Sequence, residues 1–405
     1  MDAKKVIVYF CNSEVTAGKT ADNPLLIYLP DVSGKQWFRK PDGDSINIWS
    51  SVSDVSLKDD TNNKSIVNFL DTIESVCQPP KVTINIYNRP DSGIIYTTYD
   101  CCNSSKKSQI INVNRNHHRR GILNGFTEYT HRSQERASNY FTVKEFKYNT
   151  QSITEGLRGM YKVTSVSVYY WTILEAPTRK GPPDERGRPL LIKVVVYEPG
   201  KHLEEKWYEN NSENYNTKWN KVGDDAALNL SSDKTKLKYK LDILNCKLNN
   251  AVVINVSKKP DPPGTGTKTY DACEENTLDP SHGTHKMEVE DTPVGKLGSY
   301  ECYTHTLKDS SSGPFHVVSF KNGSHIITFD GPGTPTLPIL DVKEVKVYIC
   351  KEDEKPLLLF YKTGSYHHWY KNNGPKDPAG KWEKVKDTPD SPQDHEQIIE
   401  EIHMY

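Results

Sequence analysis

The chain has 405 residues, 26% of them charged and 35% hydrophobic, and its formal net charge is −1. This is ordinary composition for a foldable protein of several domains, and the near-neutral balance excludes the electrostatic footprint of nucleic-acid or anionic-membrane binding. No stretch approaches the roughly 20 apolar residues of a spanning helix; the best run, Leu190 to Tyr197, is short and contains Lys193.

A secretory leader needs a basic start and an apolar block of about 7–15 residues, whereas Val6–Cys11 is only six residues and alternates like a strand. No signal peptide is expected there. The 23 tyrosines, the 25 prolines and short runs such as Val6-Ile7-Val8-Tyr9 predict a mainly β fold, α+β once helices are counted, built as a tandem repeat of small antiparallel modules cut by turns.

In chain order, residues 1–76 form a first unit, type A. A Val6-Ile7-Val8-Tyr9 strand is followed by Pro24-Leu25-Leu26-Ile27, the aromatic pair Trp37-Phe38, and Trp49 with Val52 three residues later. Ile66, Phe69, Leu70 and Ile73 then fall at helical spacing. The pattern reads as a four-stranded meander plus a C-terminal helix, with both tryptophans packed as core against that helix.

Residues 77–160 form a second type, B, with about six short strands that suggest a small β-sandwich. Its markers are Cys77, Val82-Thr83-Ile84-Asn85-Ile86, Arg89-Pro90-Asp91, Tyr99-Asp100, Cys102, Tyr129-Thr130-His131, Phe141 and Phe146-Lys147.

Both types recur. A second A unit, 161–245, carries Val166-Ser167-Val168-Tyr169, Pro189-Leu190-Leu191-Ile192, Trp207-Tyr208, Trp219 and Val222, and ends in a helix marked by Leu237, Leu241 and Leu244. A second B unit, 246–340, repeats the markers as Cys246, Val252–Val256, Lys259-Pro260-Asp261, Tyr270-Asp271, Cys273, Tyr303-Thr304-His305, Phe315 and Phe320-Lys321. It closes with a linker-like Gly331-Pro332-Gly333-Thr334-Pro335. A third A unit, 341–405, supplies Val345-Lys346-Val347-Tyr348, Pro356-Leu357-Leu358-Leu359, Trp369-Tyr370, Trp382 and Val385. Ser391-Pro392 then caps a helix marked by Ile398, Ile399 and Ile402.

At the Pro-Leu-Leu-Ile, Trp-Tyr and Trp-x-x-Val pattern, the A unit resembles the FAINT domain, frequently associated in Theileria, of piroplasm parasites. The resemblance covers the three A units, and the A–B alternation looks like the polymorphic repeat families of those organisms. It implies a protein of the host–parasite interface, from a family largely predicted to be secreted, and it transfers no catalytic residues.

Candidate chemistry is sparse. Gly264-Thr265-Gly266-Thr267-Lys268 lacks the spacing of a phosphate loop, and its counterpart near Ser92-Gly93-Ile94 reads as a turn. His282 and His285 with Cys273 and Cys302 supply zinc-type ligands, yet Cys302 corresponds to Glu128 and the histidine pair does not align with His117-His118. His131 and His305 do match, without a Ser, Cys or carboxylate constellation beside them, so a structural hydrogen bond is expected. Cys77 and Cys102, and Cys246 and Cys273, stand 25 and 27 residues apart and are expected to lie near each other, bridged in an oxidising compartment.

The reading is a non-enzymatic modular interaction or antigen protein, its protein partner unidentified, with no catalytic residue, cofactor, metal, nucleic acid or membrane insertion. The alternative is a carbohydrate-binding or hydrolytic β protein using Trp37, Trp49, Trp207, Trp219, Trp369 and Trp382 as sugar platforms, with Asp100 and Asp271 as its carboxylates.

Overall fold

The computed structural model describes residues 5–10, 24–30, 36–39, 49–52, 57, 65–66, 69–70, 81–90, 94–100, 110–118, 121–134, 140–175, 187–197, 203–211, 216–260, 266–273, 286–292, 298–308, 313–374, 380–386 and 397–398. The fold is mainly β, and the chain divides into two compact units, Met1–Lys238 and Tyr239–Tyr405.

The first unit opens with an antiparallel meander of β1 (Ile7–Phe10), β2 (Pro24–Leu29), β3 (Gln36–Arg39) and β4 (Ser50–Val52). A ten-stranded sheet follows. Its B-unit strands are β5 (Lys81–Asn85), β6 (Tyr96–Asp100), β7 (Ile110–His117), β8 (Phe126–Ser133), β9 (Phe141–Tyr148) and β10 (Gln151–Ser152). Its A-unit strands are β11 (Met160–Trp171), β12 (Pro189–Val196), β13 (Glu204–Asn210) and β14 (Trp219–Lys221). Two helices come next, α1 (Asp224–Ser232) and α2 (Lys234–Asn249).

The second unit repeats this arrangement in an eleven-stranded sheet. It runs β15 (Ala251–Asn255), β16 (Thr267–Asp271), β17 (Lys286–Asp291), β18 (Tyr300–Leu307), β19 (Phe315–Asn322), β20 (His325–Ile326) and β21 (Thr328–Asp330). Then come β22 (Ile339–Cys350), β23 (Pro356–Thr363), β24 (Tyr366–Asn372) and β25 (Lys381–Lys384).

Each A unit is a four-stranded antiparallel meander, as the alternating runs and turn signals predict. The B and following A units share one sheet through a long strand. β11 pairs with β9 at Met160 and Val163, then with β8 from Val166 to Trp171, while β12 lies along its other edge. β22 does the same with β19, β18 and β23. The boundary at 160/161 thus falls at the first residues of β11 and that at 340/341 inside β22. Each long strand bends where it changes partner, at a left-handed residue, Lys162 (φ 53°) or Asp341 (φ 58°), beside a register shift.

The pairing contains parallel ladders that local alternation does not reveal: β5 with β9, β15 with β19, and β21 with β25. In the second unit the margins of the B strands meet, because Val253 N–H donates to Ala272 C=O at 2.9 Å. The strands therefore wrap around one interior, filled by Val252, Ile254, Met287, Val289, Phe315 and Val345 among others.

Gly331–Pro335 is a largely exposed turn held by hydrogen bonds and not a free linker. Thr334 Oγ1 donates to Gly331 C=O at 2.6 Å, and Tyr370 Oη donates to Gly333 C=O at 3.2 Å. The reason is the flanking β21, which is held against β25 of the A unit.

Candidate functional site

The A-unit motif builds the same aromatic arrangement three times. Trp37 lies opposite Tyr28, Trp207 opposite Lys193 and Trp369 opposite Phe360, each partner four residues after the motif proline. A tyrosine from the first strand stands against each indole: Tyr9 on Trp37 and Tyr169 on Trp207 at 5.9 Å, Tyr348 on Trp369 at 5.7 Å. These three tryptophans occupy equivalent places.

Each packs toward the helical side. Ile66 and Ile398, both helical, share the clusters of Trp37 and Trp369, and Trp207 Nε1 donates to Ser231 Oγ of α1 at 2.9 Å. The second tryptophan does not join them, which corrects the expectation that both pack on the helix. Trp219 and Trp382 lie in the B-strand cores with Tyr208 and Tyr370, because side chains alternate across a strand and these positions have the opposite parity. Five of the six repeat tryptophans are buried and Trp49 is half-buried.

A second element of the motif escaped the sequence reading. Asn210, 1% exposed, donates Nδ2–H to Pro189 C=O at 2.7 Å, and Asn372 donates likewise to Pro356 C=O at 3.0 Å. Both face the second tryptophan, Asn210 opposite Trp219 and Asn372 opposite Trp382. The signal was Trp-Tyr-x-Asn in two copies, hidden because Lys40 holds that place in the first.

The matched histidines are structural. His131 and His305 are wholly buried, and each Nδ1 meets a tyrosine hydroxyl, Tyr99 at 3.3 Å and Tyr270 at 3.0 Å. Burial lowers both pKa values to about 3, so each ring is neutral at pH 7 and sealed from any substrate. Tyr270 is raised by the same burial.

One constellation is particular to the first unit. Glu128 accepts the Tyr169 hydroxyl at 3.1 Å and lies 3.9 Å from both Lys193 Nζ and His118 Nε2. Lys193 also reaches Glu205 at 3.7 Å and lies over the Trp207 ring. Burial, opposed by Glu128 and reinforced by Lys234, lowers His118, while burial and then Glu128 raise Tyr169. The corresponding second-unit residues, Cys302, Phe360 and Tyr348, form an apolar cluster. These charges pair with one another on a sheet face, and Tyr169 stays protonated.

Cys246 and Cys273 form a disulfide with Cα atoms 5.5 Å apart. Cys77, Cys102, His282, His285, Gly264 and Thr265 lie outside the described residues. Cys302 is a buried thiol that burial raises to about 11. Asp271 accepts the Cys273 N–H at 2.8 Å, as a turn residue does, and Asp100 is exposed at the end of β6. Among the described residues, no group of three or more His, Cys, Asp or Glu is placed to hold a metal ion, and no helix is long and apolar enough to cross a membrane. Neither a protein-family model, nor a curated protein, nor a solved structure matches the chain.

Proposed function

We propose that the chain is a non-enzymatic modular interaction protein that carries variable loops on a constant β frame. What supports this reading is that much of what the repeats share lies inside: Trp37, Trp207 and Trp369, the Asn210 and Asn372 clamps on backbone carbonyls, and His131 and His305 on their tyrosines are buried. Shared residues of that kind build a scaffold, while divergent connections such as Pro177–Arg188 are left to meet a partner. Taken with the resemblance of the A units to FAINT domains, the partner class is a host protein, and the five units 1–76, 77–160, 161–245, 246–340 and 341–405 are the repeats of that array.

The carbohydrate reading needs exposed indoles beside carboxylates. Trp49 is the candidate with partial exposure, whereas Trp219 and Trp382 are each 1% exposed. The discriminating experiment immobilises the full chain and captures partners from host-cell extract with two variants in parallel. A partner lost when residues 177–186 are replaced by a Gly/Ser segment, and retained by Trp49→Ala, fits the loop-presenting scaffold. Glycan-array binding that Trp49→Ala abolishes would overturn it.

A further inference from the structure

The two buried histidines share one hydrogen-bonding geometry, and it has consequences for titration. The Asn85 N–H donates to Tyr99 Oη at 3.2 Å, and the Asn255 N–H donates to Tyr270 Oη. Each phenol oxygen receives a backbone donor, which favours sending its own hydrogen to histidine Nδ1 and holding the neutral ring's proton on Nε2. In both copies Nε2 is buried without a hydrogen-bond partner. A second proton has to enter at Nδ1, where the tyrosine hydrogen already points. Protonation therefore sets two donors against each other and creates a buried cation.

The neighbours do not compensate that charge. In register beside His131 are Val113 of β7 and Val166 of β11, and beside His305 are Val289 of β17 and Val345 of β22. β5, β9, β15 and β19 add Ile84, Val143, Ile254 and Val317 to the same cores. Among the described residues, Tyr99 and Tyr270 stand edge-on to the two rings, and the other titratable groups of the same cores are tyrosines: Tyr129, Tyr148, Tyr170 and Tyr208 in the first unit, Tyr303, Tyr361 and Tyr370 in the second. Two residues along from the register valines stand Arg115 on β7 and Asp291 on β17. These charges have opposite signs in the two units, yet both rings are shifted alike, as burial and not a neighbouring charge dictates.

We propose that His131 with Tyr99, and His305 with Tyr270, are matched acid release points, one in each unit, at which protonation of the imidazole opens the β frame that carries the loops. The device belongs to the frame and operates whether or not the loops bind a partner.

The sign follows from linkage. The folded pKa of about 3 lies below the ordinary 6.5, so the unfolded chain takes the proton first. Stability is complete above pH 6.5 and is lost as pH falls toward 3. Between pH 7 and pH 4.5 each histidine raises the unfolding constant of its unit about 70-fold.

The test is denaturant unfolding of the full chain at both pH values, with hydrogen exchange assigning each transition to its unit. His131→Asn and His305→Asn keep an acceptor for the tyrosine on a side chain that does not titrate. Each is expected to remove the roughly 70-fold acid loss from its own unit and leave the other unit's loss intact. Should a variant fail to fold, nitrogen-15 histidine NMR of the wild type gives an independent reading. Both rings should remain in the Nε2–H form until their unit opens. A ring that titrates near pH 6.5 within an intact fold, or Asn variants that keep the wild-type acid loss, would overturn the proposal.

Discussion

Replacing Trp219 by alanine probes whether the repeat motif is scaffold. The side chain is 1% exposed and lies in one core with Val82, Ile84, Val166 and Tyr208, drawn from both the B and A strands. Its Nε1–H also satisfies Asn216 C=O at 3.0 Å. Truncation of a buried tryptophan costs about 3–5 kcal/mol, and the carbonyl left without its donor places this site near the upper end, about 4–5 kcal/mol. Because that core crosses the boundary at 160/161, the loss should fall on the whole ten-stranded sheet and not on the A unit by itself. In urea, with a slope of about 2.5 kcal/mol per molar, the transition of the first unit should move down by about 1.5–2 M. The second unit should keep its midpoint, and Trp382→Ala should reverse the pattern. A Trp219→Ala protein that unfolds like wild type, or one in which both transitions shift equally, refutes this account of the core.

Gly156 adopts φ +82°, and a Cβ there would sit 1.5 Å from the Trp219 carbonyl oxygen. Gly156→Ala should lower stability by at least about 2 kcal/mol in thermal melts. Gly121→Ala, at φ +85° with open space around it, should cost about 1 kcal/mol, and equal effects would show that the close approach is not felt. Cys273→Ser removes a cross-link between residues 27 apart and should cost the second unit about 3.5 kcal/mol. The wild type should lose the same amount in reductant, so a reduced wild type that melts unchanged argues against a stabilising bridge.

The meanders were legible because period-two alternation and turn residues are local signals, and the recurrence of Trp37, Trp207 and Trp369 was legible through repetition, whereas their contact with Tyr9, Tyr169 and Tyr348 was not. Trp207 and Tyr208 were harder to place, since two adjacent buried residues break the alternation expected of a half-solvated strand. They are both buried because the helical side covers one face and the B-strand core the other. The change of partner at Lys162 left no trace, because ladder pairing between distant strands is not written in local periodicity. α1 was missed as well: Asn229, Ser231 and Ser232 are weak helix formers. Its available signs were Asp224 and Asp225 in the first turn and Asp233, which ends α1 and whose Oδ1 accepts the Thr235 N–H of α2 at 2.8 Å. In the candidate constellations, matched residues were readable from the repeat, whereas the Glu128–Lys193 pairing belongs to one copy and had no second instance to reveal it.

The long strands β11 and β22 also constrain how such a protein can diversify. A recombination breakpoint between a B unit and the A unit after it would sever hydrogen bonds to β8 and β9, or to β18 and β19, and expose a core that both halves fill. The block that carries each shared core whole is therefore B followed by A, strands β5 to β14 or β15 to β25. An engineered exchange that moves this pair intact should keep its core, and one that cuts between the two should not.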